Sequence, residues 1–159
     1  MTTPMIYLDG RGVPRDEVLR VAQQAASGFQ QLGVREGDTV ALLLRNDFSF
    51  FEVQQAAAAV GAYGVPINWH GRGDEIAYVL KDSQPKVLVA HADLLWSIRG
   101  QIPVATQVFV VPTPPEIQSR YGIADARARP LPGDLVWGEW AAGFEPLKAP
   151  PKRSRASMI

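Results

Sequence analysis

Cysteine is absent from the 159-residue sequence, and only two histidines occur, His70 and His91. Without cysteine, the chain can form no disulfide, thiolate nucleophile or cysteine metal site. Two histidines are also too few for a three-histidine zinc site. An excess of one charge is absent too, since sixteen basic residues balance sixteen acidic ones. Because nucleic-acid-binding proteins are usually basic, we expect no nucleic-acid partner.

Long apolar runs are also absent. No stretch approaches the ~20 apolar residues that cross a bilayer. The N-terminal sequence MTTPMIYLDG lacks the basic start and apolar run of a secretory signal. We therefore expect a cytoplasmic protein without a transmembrane segment. Its composition, 47% hydrophobic and 20% charged, is near the average for globular chains.

Apolar strand patterns alternate with helical patterns along most of the chain. The strand TVALLL is apolar without alternation, as is typical of strands covered on both faces. The order strand, helix, strand, helix predicts an α/β fold with a doubly wound, mainly parallel sheet flanked by helices. The predicted strands are Met5–Asp9, Thr39–Leu44, Val65–Asn68, Pro85–Ala90 and Thr106–Pro112. The predicted helices are Pro14–Gly33, Asp47–Gly64, Gly73–Ser83 and Ala92–Gln101.

The composition and the periodicity of the sequence change after Pro112. The segment TPPEIQSRYGIADARARPLPGD is rich in proline and charge and has no clear period. LVWGEWAAG is either a short helix or an irregular packing segment. Residues 146–159 are rich in proline and basic residues and predict a flexible tail. We therefore assign residues 1–145 to one α/β subdomain.

The loop after the strand Val65–Asn68 is the main candidate site. Gly71-Arg72-Gly73 stands between a strand and a helix, where phosphate-binding glycine loops occur. The third glycine of the dinucleotide fingerprint is missing, because Ile76 stands in its place. His70 lies at the end of its strand, where ligands collect in open α/β sheets. A flexible crossover turn and a packing or capping histidine are the alternative interpretations.

Other notable residues have structural explanations. Trp69 and Trp96 fit core or interface positions. Asp47 and Asp74 are expected N-caps of the helices that follow them. The basic run Lys152-Arg153-Ser154-Arg155 fits a solvated tail. The sequence contains no carboxylate pair, metal-ligand cluster, catalytic triad or Walker loop, so we assign no catalytic and no metal-binding residue.

The segment LGVREGDTVALLLRNDFSFFEVQQAAAAVGAYGVPINWH, followed by DEIAYVLKDSQPKVLVA, resembles the N-terminal part of the AMP-forming acyl-CoA synthetases. These enzymes belong to the adenylate-forming ligase superfamily. The resemblance covers Pro14 to about Pro112. The tripeptide Asn68-Trp69-His70 is common among the family members that act on fatty and aromatic acyl groups. The matching residues are Gly33, Gly37, Asp38, Asn46, Gly61, Pro66, Asn68, Glu75, Ala77, Tyr78, Leu80, Asp82 and Ser83.

The resemblance implies a two-step reaction with ATP, magnesium and coenzyme A. A carboxylate first attacks the α-phosphate of ATP, giving an acyl-adenylate and pyrophosphate. The coenzyme A thiol then displaces AMP. The Thr- and Gly-rich phosphate loop of the family is missing from this sequence. We therefore expect an incomplete N-terminal fragment of the synthetase fold, inactive by itself and binding no cofactor of its own, from an enzyme of fatty acid metabolism.

The resemblance also gives the Asn68–Gly73 loop a role, because this side of the N-terminal domain lies near the coenzyme A entrance in such enzymes. It implies a coenzyme A rim formed by His70, Gly71 and Arg72 together with Arg99. The two arginines would meet the coenzyme A phosphates through charge-assisted hydrogen bonds. The family usually has a Leu-Thr-Pro-like entry where this chain has Gly71-Arg72-Gly73, and an ordinary solvated loop is the alternative.

Two rival hypotheses remain at this level. The chain could be a free-standing, non-catalytic binding or interaction module with the same fold, or a flavodoxin-like nucleotide-binding domain unrelated to the ligases. A fragment of a larger body would expose a sheet edge and apolar surface, so we also expect self-association.

Overall fold

Within residues 3–151, which the computed structural model describes, six strands and seven α-helices follow one another along the chain. The strands are β1 (Met5–Leu8), β2 (Arg11–Pro14), β3 (Thr39–Leu43), β4 (Tyr63–Pro66), β5 (Val87–His91) and β6 (Gln107–Val111). The helices are α1 (Arg15–Gln31), α2 (Phe48–Ala59), α3 (Gly73–Ser83), α4 (Ala92–Trp96), α5 (Pro115–Tyr121), α6 (Asp125–Ala128) and α7 (Trp137–Ala142). A 3-10 helix, Arg99–Gln101, follows α4.

The chain divides into two units. Of the described residues, one unit contains those up to Asp38, the segment Asn46–Gly64 and those from Gly138 onward. The other contains Thr39–Arg45 and Val65–Trp137. All the residues proposed above for the coenzyme A rim belong to the second unit.

In the first unit, α1 packs against α2. The side of α1 that carries Val18, Ala22, Ala25 and Phe29 is buried, as its spacing predicts. The aromatic ring of Trp140 lies 5.9 Å from that of Phe29 and 5.0 Å from that of Phe144. These contacts give the first unit an apolar interior of its own.

In the second unit, the strands form a four-stranded sheet with the order β4-β3-β5-β6. β5 runs parallel to both β3 and β6, with Val89 opposite Leu42 on one side and Phe109 on the other. Every residue of β5 is buried, as expected for a central strand covered on both faces. The predicted α/β class, with a parallel sheet flanked by helices, is confirmed.

One face of this sheet carries a core to which α3 and α4 contribute. Leu43, Leu88 and Val110 contribute to this core from β3, β5 and β6, and Ile76 and Leu80 contribute from α3. These side chains are at most 5% exposed. Because β3, β5 and β6 are parallel neighbours, their carboxyl ends lie at the same edge of the sheet, and so do the residues that follow each strand.

Some local expectations were wrong. No strand was predicted between Asp9 and Pro14, but Arg11–Pro14 forms β2, which pairs with β1 as an antiparallel hairpin. Its turn residues Asp9 and Gly10 both have positive φ, 50° and 78°, which is the geometry that tight hairpin turns require. The proline-rich segment after β6 also contains structure, namely α5 and α6. Their lengths of 7 and 4 residues are too short to show a helical period.

Of the two aspartates expected as N-caps, Asp47 has the predicted position and Asp74 does not. Asp47 occupies the N-cap position of α2, but its side chain makes no capping hydrogen bond. Its carboxylate instead accepts hydrogen bonds from Arg11 and from the Ser49 hydroxyl. Asp74 lies inside the first turn of α3, whose N-cap is Arg72. The predicted end of the first helix at Gly33 is confirmed to within two residues, since α1 ends at Gln31 and Gly33 has the positive φ, 77°, that is common just after a helix.

The expected tail, residues 146–159, is described only in part. The Leu147 N–H donates a 3.1 Å hydrogen bond to the Gln23 carbonyl in the first unit. The basic run Lys152–Arg155 lies outside the described residues, and the division at residue 145 stays a prediction. In the part of the chain that the structure covers, no helix combines the length and apolar character needed to cross a membrane.

Candidate functional site

The loop between β4 and α3 is held by its own backbone and by Asn68. The Asn68 side-chain oxygen accepts a 3.1 Å hydrogen bond from the His70 N–H, and its carbonyl accepts one of 2.9 Å from the Gly71 N–H. A Cβ at Gly71 would lie 3.0 Å from the Asn68 carbonyl oxygen. The turn is therefore tight enough to favour glycine at this position, and it leaves His70 exposed.

Arg72 lies where this loop enters α3. Its backbone N–H donates a 2.9 Å hydrogen bond to the Glu75 carboxylate, which satisfies one free donor at the start of the helix. Its guanidinium pairs with Asp74 at 3.2 and 2.8 Å. This hydrogen bond lowers the pKa of Asp74 and raises that of Arg72. Both side chains are largely exposed, so water and solutes can compete for the pair.

Arg99 begins the 3-10 helix after α4 and is more tightly held. Its two terminal nitrogens donate hydrogen bonds of 2.8 and 2.6 Å to the Asp134 carboxylate. The hydrogen bond from Arg99 lowers the pKa of Asp134, and burial opposes this shift. Arg99 Nε has no hydrogen-bond partner among the described residues. The side chain is 32% exposed, so this arginine is partly accessible.

The two arginine-bearing segments approach each other at the start of α3. A Cβ built at Gly73 would lie 3.5 Å from the Gln101 side-chain nitrogen, at the end of the 3-10 helix. The loop Asn68–Gly73 and the segment Arg99–Gln101 are thus neighbours on one rim. Both guanidinium groups already have carboxylate partners, however, so the rim has little net charge.

A buried ion pair, which the sequence analysis overlooked, lies at the same carboxyl ends of the strands. The Arg45 guanidinium binds both oxygens of the Asp93 carboxylate, at 3.0 and 2.8 Å. Each side chain is only 8% exposed. The Thr113 hydroxyl donates a 2.6 Å hydrogen bond to the same carboxylate. Burial alone would raise the pKa of Asp93, but the bonds from Arg45 and Thr113 outweigh it and lower the pKa.

Two aromatic rings complete the surroundings of Arg45. Its guanidinium carbon lies 4.7 Å from the centre of the Trp69 ring and 5.0 Å from that of the Tyr121 ring. The two rings meet edge to face, 5.1 Å apart. Trp69 in turn lies against the imidazole of His70, with ring centres 3.5 Å apart. The buried ion pair is therefore connected through Trp69 to the exposed loop. We call the five side chains of Arg45, Asp93, Thr113, Trp69 and Tyr121 the Arg45 cluster.

His91 belongs to the buried framework beneath this cluster. It is fully buried at the end of β5, and its Nδ1 accepts a 3.1 Å hydrogen bond from the Arg45 backbone N–H. This bond requires an unprotonated Nδ1. His91 thus holds the backbone of Arg45 while Asp93 holds its side chain, which is a structural role.

A regular spacing could have revealed the cluster. Arg45, Asp93 and Thr113 each lie two residues past the end of a strand, after β3, β5 and β6 respectively. Polar side chains at equivalent positions of neighbouring parallel strands share one edge of the sheet, where ligands also bind. Trp96, by contrast, is 43% exposed and contributes nothing to the cluster.

The arrangement is suited to binding and positioning. Arg45 and Asp93 neutralise each other and are closed off from solvent, so neither is available as a proton donor or acceptor. Within residues 3–151 no group of three or more histidine and carboxylate side chains could hold a metal ion. The exposed groups on the rim are the His70 ring and the guanidinium of Arg72, which can stack and donate hydrogen bonds.

Comparison with known proteins identifies the family. The sequence profile described as "AMP-binding enzyme" matches residues 5–154. The chain is 36% identical, over 84 residues, to the long-chain-fatty-acid–CoA ligase FadD13 of Mycobacterium tuberculosis. That alignment covers 51% of this chain and 17% of the ligase.

Solved structures agree. The anthranilate CoA ligase AuaEII, crystallised with anthranoyl-AMP, has a TM-score of 0.74 and 25% identity over 96% of this chain and 27% of its own. A benzoate CoA ligase from Burkholderia xenovorans has a TM-score of 0.75 over 95% of this chain and 27% of its own, and at 16% identity it supports the fold alone. The hypothesis of a domain unrelated to the ligases is therefore wrong, and the resemblance seen in the sequence is confirmed. The chain belongs to the AMP-binding enzyme family.

Proposed function

We propose that the chain is the N-terminal portion of an ATP-dependent acyl-CoA synthetase. The observation that carries the proposal is the family match over residues 5–154, together with relatives named as CoA ligases. The chain spans only 17% of the first of these relatives, so the reaction belongs to a longer protein. In that protein a carboxylate oxygen attacks the α-phosphorus of ATP and pyrophosphate leaves. The coenzyme A sulfur then attacks the acyl carbon, and AMP leaves.

The role that we assign to this chain is to form part of the coenzyme A entrance. His70 offers an exposed ring backed by Trp69, which suits stacking of a planar base. Arg72 offers an exposed guanidinium whose partner, Asp74, is also exposed. A phosphate can therefore replace Asp74 without breaking a buried contact. Arg99 is held more firmly by Asp134, so we assign it a supporting role at the rim.

The experiment for the rim is a titration of coenzyme A into a longer synthetase that contains this chain, followed by NMR and calorimetry. Arg72→Gln should weaken binding several-fold, because one phosphate contact is lost. Asp74→Asn should strengthen it, because the competing carboxylate is removed. Arg129→Gln is the matched control, since Arg129 forms an equally exposed ion pair with Asp125 elsewhere in the same unit. Equal affinities for all four proteins, or no binding by the wild type, would refute the rim assignment.

A second assay addresses the reaction itself. We expect no carboxylate-dependent release of AMP or pyrophosphate from ATP and magnesium by this chain alone, because the sequence lacks the phosphate loop of the family. Turnover by the purified chain would overturn that expectation. Turnover by a longer protein that contains this chain would support the synthetase assignment, whereas a longer protein that binds ligands without turnover would favour the non-catalytic module.

Two further expectations from the sequence stay predictions. Self-association would appear as a molar mass above 17.4 kDa in light scattering, and a constant mass of 17.4 kDa over a wide concentration range would contradict it. The cytoplasmic location would be tested by fractionating cells that produce the protein.

A further inference from the structure

We propose that Arg45 is a positioning residue, which holds Trp69 and thereby fixes the conformation of the loop His70–Arg72. The proposal rests on the proposed function only where coenzyme A is concerned, because the effect on the loop can be measured without any ligand. Arg45 itself is buried, with 8% of its side chain exposed.

The position of Arg45 in the sheet supports this role. It follows β3, whose neighbours in the sheet are β4 and β5. Its side chain reaches Asp93 beyond the end of β5 and Trp69 beyond the end of β4. Asp93 is in turn bound by Thr113, beyond the end of β6. One guanidinium group therefore connects the segments that leave all four strands of the sheet.

The connection from Arg45 to the loop is short. Ile67 is fixed to the sheet, since its N–H donates a 2.8 Å hydrogen bond to the Leu42 carbonyl. Beyond Ile67, Trp69 is the residue of this loop that packs against the core of the unit. Its ring is held by Arg45 and Tyr121 and supports the ring of His70. Trp69 is thus a partly buried contact between this loop and the core of the unit.

The chemistry of arginine is needed for this geometry. A planar guanidinium can bind both oxygens of Asp93 and also present its face to an aromatic ring, whereas the ammonium group of lysine is a compact point charge. Arg45→Lys therefore retains the charge opposite Asp93 and removes the fork and the flat face. A role limited to charge neutralisation would survive this change, but a role in holding Trp69 would not.

The first test measures amide hydrogen exchange in the wild type, Arg45→Lys, Tyr121→Leu and the control Arg129→Lys. The informative amides are those of His70 and Gly71, which donate to Asn68. We expect Arg45→Lys to accelerate their exchange at least tenfold more than that of the β5 amides, and Tyr121→Leu to do so by a smaller factor. Arg129→Lys should leave all of these amides unchanged.

Two results would overturn the proposal. Loop amides that exchange at the wild-type rate in both Arg45→Lys and Tyr121→Leu would show that Arg45 does not hold the loop. Acceleration by the same factor in the loop and in β5 would show only a general loss of stability. If Arg45→Lys fails to fold, Tyr121→Leu decides alone, because it removes an aromatic contact and leaves the ion pair with Asp93 intact.

The second test links the loop to the ligand. Coenzyme A is titrated into a longer synthetase that contains this chain, as wild type and with the same three substitutions, and its affinity should fall in Arg45→Lys and Tyr121→Leu in the order of their loop exchange rates. If the loop exchanges faster in these variants but the wild type binds no coenzyme A, the positioning role stands and the proposed function fails. If coenzyme A binds all four proteins equally, the loop is not part of its site and the positioning role has no consequence for binding.

Discussion

The Arg45–Asp93 pair provides a quantitative test of how this sheet edge is stabilised. The perturbation is a double-mutant cycle with Arg45→Met, Asp93→Asn and the double variant. Both side chains are 8% exposed, so each single change leaves an uncompensated buried charge. Breaking such a pair from one side costs about 3–5 kcal/mol of unfolding free energy. Arg45→Met also removes a cation–π contact with each of two rings, at about 0.5–1 kcal/mol each.

The double variant should be less unstable than the two single variants together. It buries no unpaired charge, so its loss should be close to that of one single variant, about 3–5 kcal/mol, and not the sum of both. The coupling free energy, which is the sum of the two single losses minus the loss of the double variant, should then be about 3–5 kcal/mol, as expected for a buried pair in direct contact. Urea unfolding followed by tryptophan fluorescence measures these values. At a slope of about 2 kcal/mol per molar urea, a loss of 3 kcal/mol lowers the midpoint by about 1.5 M.

The exposed pair Asp125–Arg129 is the matched control for this cycle. Its side chains are 65% and 72% exposed, so the corresponding variants should change stability by less than ~1 kcal/mol. The reasoning would be refuted if the Arg45 and Asp93 losses were additive within ~0.5 kcal/mol, because the two groups would then not act as a unit.

Three further predictions concern the same protein. The folded state holds the pKa of Asp93 below its ordinary value of about 3.9, so the stability that this carboxylate contributes is complete above that pH and is lost as the pH falls below it. The unfolding free energy should therefore decline less steeply from pH 6 to 3 in Asp93→Asn than in the wild type. Parallel curves for the two proteins would contradict this. Thr113→Val removes the hydroxyl that donates to Asp93, so calorimetry should show a loss of about 1–3 kcal/mol, whereas an unchanged melting temperature would show that the bond contributes nothing. Gly28→Ala places a Cβ 2.5 Å from the Trp140 ring and should lower the unfolding free energy by about 1–3 kcal/mol. The control Gly138→Ala, with open space around it, should be neutral or stabilising by up to ~1 kcal/mol. Equal effects of the two changes would exclude the steric explanation.

Several elements could be predicted from the sequence because their signals are local. The face of α1 follows from the spacing of its apolar residues, and its end follows from Gly33. The buried strands β3, β5 and β6 follow from continuous apolar runs. The order and spacing of the matching residues between Pro14 and Pro112 were sufficient to indicate the family. The hairpin partner β2 was missed because Arg11–Pro14 has no strand pattern of its own and is extended only through pairing with β1.

The candidate site could be predicted only in part. The loop His70–Arg72 was found because glycine, histidine and arginine stand between a strand and a helix. The carboxylates that neutralise Arg72 and Arg99 were less accessible to sequence reasoning. Asp74 was expected to cap α3 and instead binds Arg72, while Asp134 lies 35 residues from Arg99 in the chain. A pairing over such a distance is created by the fold and leaves no periodic signal in the sequence.

By itself, the sequence determined the longer helices, the buried strands, the α/β class and the family, because these depend on local spacing and on the order of residues. Only the tertiary structure decided that Arg45, Asp93 and Thr113 meet, and that Trp69 connects them to the exposed loop. The physical reason is that side chains 20 to 48 residues apart come into contact only when parallel strands are aligned in register and their carboxyl ends share one edge.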